Sequence, residues 1–232
     1  LIAATAGRSF WILDDLGAIQ QSKGSNEGFA LYQPKDTYFL IGGFSENPLI
    51  GQNPKSGVTF DYYLKEELSD SIVLTAEVMM GVDLIRTYTS DKQEGFKGWQ
   101  GGPPKPEVLP VTQGVNRFTW DFRKEVLPAV DGVFAFGDYR GGLVSPGNYT
   151  IRLILEEDTL PTSDAVLANP NVSATTSQYA QKDAFISQIE SVIKVMHESV
   201  NAMRSAKKQV SAYEKLLKGR EDAKALLDTA KA

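Results

Sequence analysis

The chain has 232 residues, 42% hydrophobic and 23% charged, the balance of a globular protein of one or two domains with a sizeable core. A net charge of −5 repels a phosphate backbone and no cluster of Lys, Arg and aromatics offsets it, while no apolar run is long enough to cross a bilayer, so neither nucleic acid nor a membrane span is expected. With no Cys and a single His, thiolate chemistry and Cys-based zinc sites are excluded, and a triad or His-rich metal site would rest on His197 alone.

Residues 1–22 read as a hairpin followed by a short helical turn. "LIAAT" is a strand, "AGR" supplies a turn in which Gly7 is free to take positive φ, and "SFWIL" is the return strand. Asp14 or Asp15 can cap "LGAIQQ", because a carboxylate accepts the unpaired N–H groups of a first helical turn. A lone two-stranded ribbon is marginal in water, so these strands are expected to complete a sheet encoded upstream. The chain starts without Met, a basic segment or an apolar leader, so localisation has to come from elsewhere.

Residues 23–28 are polar and Gly-rich, a linker. Over 29–172 the period becomes two. Val58, Phe60, Tyr62 and Leu64 form one face of a strand, as do Ile72, Leu74, Ala76 and Val78, then Phe118, Trp120 and Phe122, then Tyr149, Ile151, Leu153 and Leu155. With "FALYQP" before and "DAVLANP" after, six or seven short strands punctuated by Gly and Pro predict an immunoglobulin-type antiparallel β-sandwich. Pro146-Gly147 fits the centre of a type II turn. "TWD" at 119–121 lacks the repeat of about forty residues that a propeller of WD type needs, so Trp120 belongs to the sandwich.

Residues 173–232 are helical. From about Ser177 to Lys218 there is no Gly or Pro, and Ile189, Met196, Met203, Val210 and Leu217 recur every seven residues, widened by Val192, Ile193, Val200, Ala206 and Tyr213. Gly219 breaks the pattern and "REDAKALLDTAKA" starts a second helix, so the expected object is a helical hairpin with a truncated second arm.

The stretches "TAGRSFWILDDL", "NPKSGVTFDYYLKE", "GVNRFTWDFR" and "SPGNYTIRLIL", in that order and followed by a long helix, resemble the C-terminal part of bacterial sortilin (VPS10)-like BNR/Asp-box β-propeller proteins, often labelled glycosyl hydrolases. The resemblance implies that residues 1–22 close an upstream propeller, that 29–172 are a FlgD-like Ig domain, and that the protein is extracytoplasmic. Ala6 stands where the family commonly has a His, and no Asp-box occurs within the chain. By this resemblance Phe10 and Trp11 pack between blades.

Candidate site residues are few. Asp14 and Asp15, adjacent in sequence, cannot face each other across a sugar as a glycosidase pair must; they read as caps, or as acids at the propeller rim. Asp121 is expected to pair with Arg117 or Arg123. Phe96 and Trp99, in the Gly- and Pro-rich loop 91–107, could stack on a sugar or a protein partner, or tuck back to anchor the loop. Met79, Met80, Met196 and Met203 read as core filler, and the sequons at Asn148 and Asn171 as chance. No cofactor or metal site is indicated. The reading that follows is a non-catalytic structural and interaction segment, partnered by the upstream propeller and by a protein or glycan. The alternatives are an accessory part of a glycan- or peptide-processing hydrolase whose active site lies in the propeller, and a carbohydrate-binding module.

Overall fold

The computed structural model describes residues 1–7, 9–13, 15–22, 28–42, 53–135, 137, 139–217, 220, 225 and 229. It contains strands in several sheets and a long C-terminal helix. Strands β1 (Ile2–Ala4) and β2 (Phe10–Ile12) form a separate antiparallel ribbon, and helix α1 (Gly17–Ser22) follows. The ribbon turns through Gly7 and Ser9, both at positive φ, with Thr5 N–H donating to Ser9 O at 3.0 Å.

Strands β3 (Phe29–Leu31), β5 (Val58–Leu64) and β8 (Gly114–Trp120) make a three-stranded sheet in the order β3-β5-β8. A five-stranded sheet has the order β4-β10-β9-β6-β7, from β4 (Thr37–Tyr38), β6 (Leu74–Met80), β7 (Asp83–Thr89), β9 (Gly147–Leu155) and β10 (Asp158–Leu167). The inward residues of both sheets meet in one cluster: Val58, Phe60, Tyr62 and Leu64 with Leu74, Ala76, Val78, Phe118, Trp120, Tyr149, Ile151 and Leu153. Burying each such side chain fully is worth about 1.5–3 kcal/mol. This cluster is therefore what holds the two sheets together.

Three local features differ from the sequence reading. Gly147 is not at positive φ and opens β9 directly, so Pro146-Gly147 is not the centre of a type II turn. The run around "DAVLANP" is the end of a ten-residue strand that passes through Pro161 and pairs with β9 from Asp158 to Val166. Phe122 lies beyond the end of β8 and reaches the core through a left-handed backbone, φ 62°, where its ring meets Phe39 at 5.1 Å and Trp120 at 6.0 Å.

Helix α2 (Thr176–Leu217, 42 residues) starts on a reciprocal cap. Gln178 N–H donates to Thr175 Oγ1 at 3.3 Å, and Thr175 N–H donates to Gln178 Oε1 at 2.8 Å, so two otherwise orphaned donors are satisfied together. Thr175→Ala is expected to destabilise the helix start by about 1 kcal/mol. Faster amide exchange confined to the first turn would show it; unchanged exchange there would contradict the capping role. Residues of the second helical arm lie almost entirely outside the described residues.

Candidate functional site

The sequence-derived acids meet different fates. Asp14 lies outside the described residues. Asp15 accepts from Gly17 N–H at 2.9 Å and from Lys35 Nζ at 2.8 Å, and its other oxygen accepts from Arg117 Nη2 at 3.1 Å. Arg117, on β8, forks onto Asp61 of β5 directly opposite, at 2.7 and 2.8 Å. Asp15 thus ties the stem of the ribbon and α1 to the outer face of the three-stranded sheet. The Lys35 hydrogen bond, then the Gly17 amide, hold the Asp15 carboxyl below its usual range, and the Asp61 hydrogen bond pushes Arg117 up.

Asp15, Lys35 and Arg117 line an open cleft of about 800 Å³, together with Lys55, Thr59, Glu107, Thr119 and Asp121. Asp121 pairs with Arg123 at 3.7 Å. A glycosidase acid needs its pKa raised toward neutrality, whereas Asp15 is shifted the other way. Among the described residues no group of three or more His, Asp or Glu side chains is arranged to hold a metal ion. Lys35, Asp15, Arg117 and Asp61 form an ion-pair clamp at this cleft.

Phe96 and Trp99 are half-buried and do not line this cleft. Trp99 Nε1 donates to Val133 O at 2.9 Å, and its ring lies on Gly102, where an added Cβ would come within 2.6 Å of it. Phe134 covers Gly101 in the same way, and Ala135 N–H donates to Gly101 O at 3.3 Å. The two glycines allow this close seating because they carry no Cβ. The aromatic loop is closed onto residues 131–135, with the Trp99 N–H already engaged.

A third locus was not foreseen. Helix α2 docks on the body through polar side chains. His197 Nδ1 and Pro128 O are 2.7 Å apart; Asn201 Nδ2 donates to Ala129 O at 2.8 Å and Arg204 Nη1 to Asp131 O at 2.7 Å. Gly142 N–H donates to Glu190 Oε1 at 2.6 Å, Lys124 Nζ bridges Ser187 and Glu190, and Ser145 Oγ donates to Asp183. Asp183, Ser187, Glu190, Lys194, His197, Asn201 and Arg204 alternate in steps of four and three, one face of a helix; that polar heptad was the available signal. The predicted apolar stripe is split: Ile193 and Val200 are half-buried on this docking side, whereas Ile189, Val192, Met196 and Met203, with Phe185, are 44–66% exposed.

Comparison with family models, with curated proteins and with solved structures finds no match to this chain. No helix among the described residues is long and apolar enough to cross a membrane.

Proposed function

We propose that the chain is a non-catalytic structural and interaction segment of an extracytoplasmic β-propeller protein, in which β1 and β2 complete a sheet contributed by other residues, the two-sheet body is an Ig-like sandwich, and α2 is a docking arm. One observation carries this reading. Leu1, Ile2, Phe10, Trp11, Ile12 and Leu13 are 45–70% exposed on a ribbon that pairs with no further strand among the described residues. Such a ribbon offers two open hydrogen-bonding edges and an apolar surface, and both are satisfied by addition to a sheet.

The Ig-like part of the reading is supported by strand order. β3-β5-β8 corresponds to A-B-E, and β10-β9-β6-β7 to G-F-C-C′, with β4 running parallel to β10 as an A′ strand does. Tyr149, near the start of β9, donates its hydroxyl proton to Ser145 O at 2.6 Å, the backbone contact of a tyrosine corner at strand F. Location outside the cytoplasm rests on the sortilin-like resemblance alone.

The test compares this chain with the natural full-length product. Exchanging Phe10 and Trp11 for Ser is expected to change the stability of this chain by less than about 0.5 kcal/mol, because exposed side chains contribute little. In the full-length protein the Phe10 and Ile12 amides, which face away from β1 on the open edge of the ribbon, should be protected from exchange, and the same substitutions should destabilise by about 3 kcal/mol or more. Unprotected amides in both proteins would overturn the proposal.

A further inference from the structure

On β10, Thr162, Asp164 and Val166 all turn to the buried side. Val166 joins the core cluster. Asp164 stands one alternation away, 3% exposed, and neither of its carboxyl oxygens has a hydrogen-bond partner. An ionised carboxylate there would have no water and only the Ala165 amide beside it, which partly offsets the burial and is itself engaged by Asp36 Oδ1 at 3.3 Å, so the neutral form is favoured. Asp36 acts on it in the same direction, and burial with this neighbouring charge raises Asp164 to about 7.

Asp36 immediately precedes β4, the edge strand of the five-stranded sheet. Its Oδ1 accepts Ala165 N–H at 3.3 Å. Beyond that, β4 is held on β10 by the register pairs Val166↔Thr37 and Leu167↔Tyr38 and by Phe39 N–H donating to Leu167 O at 2.7 Å. The surrounding charges are committed elsewhere. Lys35 is bound to Asp15 at 2.8 Å, Lys182 to the carbonyls of Leu143 and Val144, and Asp183 to Ser145. Tyr149, opposite Asp164 on β9, donates to Ser145 O and is pushed up to about 12 by burial and Asp183; Tyr32 is raised by burial, Tyr63 and Asp61.

We propose that Asp36 and Asp164 form a proton-operated latch on the edge of the five-stranded sheet. With Asp164 protonated, β4 stays seated. When that proton leaves to solvent, the paired negative charges and their demand for water unseat residues 36–39 and open the outer edge of β10.

The test is amide exchange on the whole chain, corrected for intrinsic pH dependence and with chelator present, at about pH 5.5 and about pH 8.5. Protection at Phe39 and Ala165 is expected to fall at the higher pH by roughly tenfold or more relative to that of Ile151 in β9, which follows only the global loss of stability. Asp164→Asn should keep these amides protected at both values, and Asp36→Asn should move the midpoint of the transition to lower pH. Equal protection at both pH values in the unmodified chain overturns the latch, as does a transition that survives in Asp164→Asn. If that variant does not fold, an unmoved midpoint in Asp36→Asn overturns it instead. Protection restored at high pH by about 1 mM Ca²⁺ would make the pair a cation site and would equally overturn it.

Discussion

Replacing Trp120 by alanine is expected to remove about 3–5 kcal/mol of folding stability, a large share of the 5–15 kcal/mol typical of a domain. The side chain is fully buried and belongs to the cluster shared by both sheets. Its ring meets Tyr149 edge-on at 5.0 Å, linking β8 to β9 across the core. Its Nε1 donates to Arg123 O at 2.9 Å. Alanine would therefore leave a cavity and strip a part-buried carbonyl of its donor, two costs that add. Chemical denaturation should show the midpoint falling, and the melting temperature should drop by roughly 10 °C. A loss below about 1 kcal/mol would mean that the two sheets do not depend on this contact.

The second large effect concerns pH. Asp164 is raised from 3.8 to about 7 by burial first and by Asp36 second. The folded chain therefore holds this proton more tightly than the unfolded chain, so the contribution to stability is complete below about pH 3.8, erodes as pH rises, and is gone above about pH 7. The full span is on the order of 4 kcal/mol. Asp164→Asn removes the titration, and at pH 8 the variant should be more stable than the parent by a few kcal/mol, with the advantage disappearing toward acid. Urea denaturation at a series of pH values measures this directly. A stability difference that does not vary between about pH 4 and about pH 8 would contradict the buried, unpartnered state of this carboxyl. Asp15 works in the opposite sense: its pKa is lowered, so its contribution is present above 3.8 and is lost as pH falls below that value.

The core strands were legible because each shows one clean alternation. β5, β6 and β9 bury every second residue, as the spacing of Val58 to Leu64, Leu74 to Val78 and Tyr149 to Leu153 predicts. β7 was not, because an edge strand has little to hide: only Tyr88 is buried, and Leu84 remains exposed. The two residues of β4 are too short to carry a period. On α2 the apolar heptad drew attention away from the interleaved polar one that makes the hydrogen bonds to the body. Asp164 was missed for a related reason. In an alternating strand it holds an inward position by register, and only its neighbours in space reveal that nothing answers its charge. The cleft around Arg117 joins residues more than a hundred positions apart in sequence, a distance that no local pattern spans.

The way α2 is fastened has a mechanical consequence. Hydrogen bonds to the body run from Lys182 to Arg204, and many of their acceptors on the body are main-chain carbonyls, which belong to a backbone anchored in the sheets. The helix then continues to Leu217, roughly 20 Å farther at 1.5 Å per residue. A rod gripped along half its length acts as a lever arm. It transmits a push at its far end to the loop that grips it, and it fixes how far from the two sheets anything seated at that end must stand.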